Sequence, residues 1–252
     1  MYALHYLRNL GFSVRVLEIA KDVGGTWYWN RYPGARCDVA SLEYSYQFSE
    51  ELQQQWHWSE KYAAQAEILE YANHVADRFD LRRDIQFNTH VSAMHFSAAN
   101  PSASNQGGGG VGWRITTDNG EVFQAQFCIM ATGCLSSNNI PDFPGLDDYQ
   151  GLLLHTGQWP HQEVDFAAKR VGMIGTGSSA IQIAPLIAAQ ADSLTIFQRT
   201  ASYSIPAHNA SMDADHERTI KADYARFREQ NSQRYAALNN NPNSVPALEV
   251  SA

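Results

Sequence analysis

The chain has 252 residues, with 44% apolar and 17% charged side chains and a formal net charge of -8. That length can bury a sizeable core, and the composition excludes a disordered chain. The acidic balance argues against nucleic acid or an anionic membrane surface as partner. The three cysteines (Cys37, Cys128 and Cys134) form no C-x-x-C pair, which argues against a disulfide framework and a dithiol flavin reductase. The apolar runs, such as Phe127 to Met130 and Ala184 to Ala189, fall far short of the ~18 residues of a membrane span. Met1 leads into an amphipathic pattern rather than a secretory signal, so a cytoplasmic protein is expected. No metal site is expected, and the sequence sets no oligomeric state.

In chain order, residues 1–10 carry Ala3, Leu4, Leu7 and Leu10 on one helical face, and Gly11 supplies a stop. Val14 to Glu18 reads as a short strand ending in an acid. Helix, turn and acid-ended strand are the later parts of a βαβ dinucleotide unit. The initial strand and glycine turn of that unit do not precede Met1, so a chain truncated at this end is expected. Residues 22–48 are rich in Gly, Trp, Tyr, Arg and Asp and read as loop with room for a short helical piece. Residues 59–80 have helical spacing through Ala64, Ile68, Tyr71 and Val75. Ile85 to Phe87 reads as a strand. A meander follows: Val91 to Phe96, Trp113 to Thr117 and Val122 to Met130, with Asp118-Asn119-Gly120 as the turn between the last two. Asn100 to Gly112, with its run of glycines, reads as a flexible loop tip; no helix and no Lys-Ser/Thr follow it, so it is no phosphate loop.

The second unit is fuller. Val171 to Ile174 predicts a strand, Gly175 to Ala180 a turn, Ile181 to Ala189 a helix and Leu194 to Phe197 a strand. Asp213 to Leu238 has helical spacing, broken by Asn239 to Pro242. Ala247 to Ala252 adds no closing element, so truncation is expected at this end too. The fold class expected is α/β, with two Rossmann-like dinucleotide-binding units, a β-meander and a polar helical tail. Domains are expected at 1–139 (first cofactor, incomplete), 140–207 (second cofactor, first part) and 208–252 (start of a helical insert).

Chemistry concentrates at a few places. Gly175-Thr176-Gly177-Ser178-Ser179-Ala180 stands between strand and helix. There the first glycine permits a tight turn, the second admits a pyrophosphate close to the backbone, and a small third residue lets helix and strand pack. Arg199-Thr200 closes the next strand, about 20 residues on, where the adenosine ribose is read. An arginine with a hydroxyl neighbour favours the 2′-phosphate of NADP over the bare ribose of NAD. Glu18 holds the equivalent place in the first unit, where a carboxylate suits ribose hydroxyls. Asp38, alone, reads first as a buried structural carboxylate that accepts backbone amides.

Gly24-Gly-Thr-Trp-Tyr-Trp-Asn-Arg-Tyr-Pro-Gly-Ala-Arg-Cys-Asp38 resembles the FAD-adjacent segment of Baeyer–Villiger monooxygenases. Tyr149-x-Gly151-x-x-x-His155-x-x-x-Trp159-Pro160 is similar to their fingerprint FxGxxxHxxxWP, with Tyr for Phe at the first place, and Met130-Ala-Thr-Gly133 is similar to their ATG segment. The resemblance covers nearly the whole chain and corresponds to the first half of a member. It implies that Glu18 binds the FAD ribose, that Gly25, Thr26, Trp27, Asp38 and Tyr44 line the flavin, and that the Val91 backbone meets the adenine. It further implies that Arg36, Cys37 and Asp38 border the nicotinamide, with Asp38 the catalytic candidate. Thr176 to Gln182 then hold the NADP pyrophosphate, and Arg199 with Thr200 the 2′-phosphate. Gly151, His155 and Trp159 form the linker between cofactor domains. The implied reaction uses NADPH, FAD and O2 to insert oxygen beside a ketone carbonyl. An arginine that Asp38's counterpart orients is expected beyond residue 252, which would leave this chain alone inactive. Two alternatives stay open: an N- or S-oxidising flavin monooxygenase, and a non-catalytic NADP-binding remnant.

Overall fold

A computed structural model describes residues 1–98, 112–135 and 138–238. Helices and sheets are mixed along the chain, which makes the class α/β. The chain forms two compact units: Met1–Tyr32 with the described residues of Ile68–Glu163, and Pro33–Glu67 with those from Val164 onward. Each unit draws on two separate stretches of the chain. No helix among the described residues is long and apolar enough to cross a membrane.

The first unit opens with α1 (Tyr2–Asn9), which buries Leu4. Gly11, at φ +85°, turns the chain out of it in a conformation that costs glycine little. β1 (Val16–Leu17) pairs in parallel with β2 (Ile85–Gln86), a shorter strand than the expected Val14 to Glu18. α2 (Thr26–Trp29) is the short helical piece foreseen in the loop. α4 (Gln65–Arg78) contributes its turns from Ile68 on, burying Ile68, Tyr71, Ala72, Val75 and Ala76 at helical spacing. Burying each larger side chain of this kind is worth about 1.5–3 kcal/mol. Two arginines fasten the parts. Arg8 donates to Asp80 O (2.7 Å) and Asp84 Oδ2 (3.1 Å), and Arg82 donates to Asp77 Oδ1 (2.6 Å) and Asn73 Oδ1 (2.5 Å). The meander β3 (Val91–Ser97), β4 (Gly112–Thr117) and β5 (Val122–Ala125) is antiparallel in the order β3-β4-β5. The Asp118–Gly120 turn is present, with Gly120 at φ +85°.

In the second unit α3 (Glu50–Gln55) leads, capped by Ser49, whose Oγ accepts from Leu52 N. β6 (Arg170–Ile174) and β7 (Ser193–Phe197) pair in parallel from Arg170↔Ser193 to Ile174↔Phe197, and α5 (Ser178–Ala188) connects them. α6 (Ala214–Ala222) and α7 (Tyr224–Ser232) follow. Leu52, Trp58, Phe166, Ile183, Ile187, Tyr224 and Phe227 form this unit's core. Arg228 lies over the Tyr224 ring (5.2 Å) and donates to Glu43 O (2.8 Å) and Ser45 O (3.1 Å).

Several expectations need correction. The helix expected over 59–80 begins only at Gln65, because residues 60–64 bend and bond to other segments instead. Cys37 N donates to Ala63 O (3.1 Å), Ser41 N to Lys61 O (2.8 Å), and Arg36 bridges Ala64. The strand expected over Val122 to Met130 stops at Ala125, the last residue paired with β4. α5 starts three residues earlier than expected, at Ser178. The helix expected over Asp213 to Leu238 breaks at Asp223 (φ -151°, ψ 65°), whose side chain accepts from Arg226 N and so starts a new helix. α3 was not foreseen. Most of the glycine-rich loop from Asn100, the Asn239 to Pro242 break and the segment 247–252 lie outside the described residues.

Candidate functional site

The best-formed site element is the turn between β6 and α5. Gly175, at φ +105°, adopts a conformation open to glycine, and its N–H donates to Phe197 O (2.8 Å). That bond ties the turn to the end of β7 and so brings it beside Arg199 and Thr200. Thr176 Oγ1 donates to Thr200 O (3.4 Å), a second and longer tie. Gly177 is the N-cap of α5 and gives no side-chain cap, and the first turn holds no acid. The helix ladder opens with Ile181 N–H donating to Gly177 O (3.1 Å), so the amides of Ser178, Ser179 and Ala180 lie at the positive end of the helix. A Cβ on Gly177 would meet no protein atom within 4 Å. The fold itself does not need glycine there; an anion seated against the backbone would. Arg199 and Thr200 are exposed, free to meet a ligand from solvent. The residues present therefore fit a dinucleotide phosphate at this turn.

The segment Gly34–Asp38 belongs to the same unit and packs on α5. Gly34 sits at φ +80°, and a Cβ there would fall 2.6 Å from Gln182 O. Gln182 Nε2 donates to Arg36 O (3.0 Å). The Arg36 guanidinium pairs with Glu60 and donates to Tyr62 O (2.5 Å). Cys37 is buried, and burial pushes its thiol pKa up. The Val39 amide opposes that shift, the Asp38 charge adds to it, and the Asp38 amide again opposes it. Asp38 and Tyr44 are exposed. Hence the carboxylate of Asp38 is presented on a backbone fixed from both sides, and the buried-carboxylate alternative does not describe it.

In the first unit, Glu18 follows β1, with its N–H on Gln86 O (2.9 Å) and its carbonyl accepting from Thr89 N (2.9 Å). Its Oε1 accepts from Ala20 N (2.9 Å). Val91 lies two residues beyond Thr89, at the start of β3. Gly24 and Gly25, at φ +121° and +52°, swing the chain into α2, where Thr26 and Trp27 stand; a Cβ on Gly24 would strike Leu69 Cδ1. In the stretch from Tyr149 to Trp159, Tyr149 lies over Gly151, so closely that a Cβ there would overlap its ring. His155 caps a 3-10 turn (Thr156–Gln158), its Nδ1 accepting from Gly157 N (3.1 Å), and Trp159 is buried.

The expected residues thus divide between the units. Glu18, Gly25, Thr26, Trp27, Val91, Gly151, His155 and Trp159 lie in the first; Arg36, Cys37, Asp38, Tyr44, Gly175–Gln182, Arg199 and Thr200 lie in the second. Three partners escaped sequence reasoning. Glu60 and Tyr62 hold Arg36 from non-helical backbone, which the helical spacing of 59–80 concealed. His161, directly after Trp159-Pro160, packs on Tyr28 at 5.3 Å; its imidazole pKa is lowered by desolvation, then by the charges of Arg31 and Lys21.

Comparison with known proteins gives the lineage. A Baeyer–Villiger monooxygenase of Pseudooceanicola batsensis is 42% identical over 252 residues, covering 100% of this chain and 44% of its own length. A phenazine N-monooxygenase of Lysobacter antibioticus is 42% identical over 208 residues, covering 82% of this chain and 36% of its own. The solved structure of an oxidised steroid monooxygenase bound to NADP superposes with a TM-score of 0.86 at 52% identity, covering 99% of this chain and 46% of that one. The chain spans less than half the length of these relatives. A family profile described as flavin-binding monooxygenase-like matches residues 13–214, taking in every site segment described above, and on that match the chain belongs to the flavin-binding monooxygenase-like family.

Proposed function

We propose that the chain serves an NADPH- and FAD-dependent monooxygenase of the Baeyer–Villiger type, which inserts oxygen beside a ketone carbonyl. The observation that carries this reading is the β6–α5 turn, an anion seat tied by the Gly175–Phe197 bond to the exposed Arg199-Thr200 pair. In this reading residues 1–139 and 140–207 carry two Rossmann-like units, for FAD and NADP. The amides of Ser178, Ser179 and Ala180 hold the pyrophosphate, and Gly175, Thr176 and Gly177 shape its approach. Arg199 donates to the 2′-phosphate and Thr200 adds a hydroxyl. Glu18 accepts from the FAD ribose, while Gly25, Thr26, Trp27 and Tyr44 line the flavin and the Val91 backbone meets the adenine.

Bound FAD, reduced by NADPH, supplies the chemistry that activates O2. The residues of the chain bind and orient. Asp38 offers its carboxylate to a cation or to the nicotinamide side, on a backbone that Arg36 and Cys37 keep fixed. His155 and Trp159 stiffen the linker.

N-oxygenation is a second reading, favoured by the phenazine relative. The test is the absorption spectrum of the chain after incubation with FAD and gel filtration, followed by NADPH oxidation with cyclic and aryl ketones against amines and sulfides. Co-eluting flavin with ketone-dependent esters supports the proposal. Oxygenated amines support the second reading. Neither flavin nor turnover, with NADP still bound, reduces the role of the chain to cofactor binding.

A further inference from the structure

Gln182 stands one helical turn beyond Ser178, on the face of α5 that meets Gly34–Asp38. Its side-chain amide donates to Arg36 O (3.0 Å), and Gly34 passes so close to Gln182 O that no side chain fits between. On its other side the same segment is held by extended pairing. Gln65 N donates to Ala35 O (2.9 Å), Cys37 N to Ala63 O (3.1 Å), and Arg36 to Tyr62 O (2.5 Å). Its flank toward α5 is fastened by the Gln182 bond. A ligand that orders the first turn of α5 therefore acts on the Arg36 carbonyl, next to Cys37, through the Gln182 side chain, beside the close packing of Gly34 on the same helix.

We propose that Gln182 is a positioning residue: its hydrogen bond to Arg36 carries NADP occupancy of the α5 turn to the backbone of Cys37 and Asp38. The inference rests on the reading of that turn as the NADP seat. Hydrogen-bonded chains of this kind carry energetic coupling, and the path Ser178–Gln182–Arg36–Cys37 is such a chain.

The test is amide hydrogen exchange of the wild-type chain and of Gln182→Met, which keeps length but loses the donor. Each is measured without NADP+ and at a saturating concentration set by its own titration, so weakened binding does not enter. In the wild type, NADP+ slows exchange at Cys37 by about fivefold or more, the low end of site-to-site coupling. In Gln182→Met that slowing drops below about twofold, while protection at Ser179 and Ala180 persists, an outcome that a purely structural role for Gln182 does not produce. Equal slowing in both proteins, or none in a wild type that binds NADP+, overturns the inference. A wild type that fails to bind NADP+ overturns the proposed function and this inference with it, and the titration identifies that case. If Gln182→Met does not fold, Gln182→Ala, which suits a helix interior, gives the same comparison.

Discussion

Gly34→Ala should destabilise the protein well beyond the usual cost of a lost glycine turn. Gly34 has φ +80°, and an added Cβ would lie 2.6 Å from Gln182 O, 3.0 Å from Leu186 Cδ1 and 3.3 Å from Gln182 C. Left-handed backbone costs a non-glycine residue roughly 1–2 kcal/mol. The nearest obstacle is main chain of α5, which cannot swing aside like a side-chain end, so overpacking adds about 1–3 kcal/mol. Together that is about 2–5 kcal/mol. Gly11 is the internal control, since it has φ +85° but nothing within 4 Å of its Cβ position. Gly11→Ala should therefore cost only the backbone part, about 1–2 kcal/mol. Thermal melts by circular dichroism read the difference at about 2–4 °C per kcal/mol for a chain of this size. Equal melting temperatures for the two variants would refute the close packing of Gly34 on α5, and with it the fixed seat of Arg36 to Asp38.

Lys221 is nearly buried, and its ammonium donates to Gln54 O (2.9 Å) and Trp56 O (2.7 Å) and pairs with Glu217 Oε1 (3.0 Å), closing the end of α3. Lys221→Met strands those acceptors and should cost about 1–3 kcal/mol in urea denaturation at neutral pH. Burial pushes Glu217 up, but hydrogen bonds from His57 and Lys221 and their charges outweigh it, leaving its carboxyl below the ordinary range. Its stabilisation is then full above about pH 4.3 and fades as pH falls below that, so the gap between wild type and Lys221→Met should narrow in acid; a constant gap contradicts the pairing. Thiol labelling near pH 8 should modify exposed Cys134 first and buried, pKa-raised Cys37 last. Labelling of Cys37 at the rate of Cys134 would mean that its segment is open.

What the sequence made legible follows from the range of the interactions involved. Gly175-x-Gly177-x-x-Ala180 marks its own strand–turn–helix, because the glycine conformation, the bare helix end and the apolar runs on either side are local. The loop from Gly24 to Tyr44 is built by distant partners: Cys37 on Ala63, Ser41 on Lys61 and Gly34 on Gln182. No periodicity announces such pairings, so the loop could be recognised only by resemblance. The same pairings keep residues 60–64 out of a helix, against a helical spacing. Asp223 shows the reverse failure, a local side-chain cap that splits a helix whose apolar spacing runs on through Tyr224 and Phe227. For the site, the sequence named Arg199 and Asp38, but the role of Gln182 as a tie to Arg36 appears only once the chain is folded.

The most direct measurement is a calorimetric titration of the chain with NADP+ and with NAD+, in wild type and in Arg199→Ala. The account predicts tighter NADP+ binding in the wild type. It also predicts that Arg199→Ala weakens NADP+ alone, by roughly 10- to 100-fold, since a hydrogen bond to a charged group is worth about 1.5–3 kcal/mol and about 1.4 kcal/mol is tenfold. Equal affinities for the two dinucleotides in the wild type, unchanged in Arg199→Ala, would contradict it.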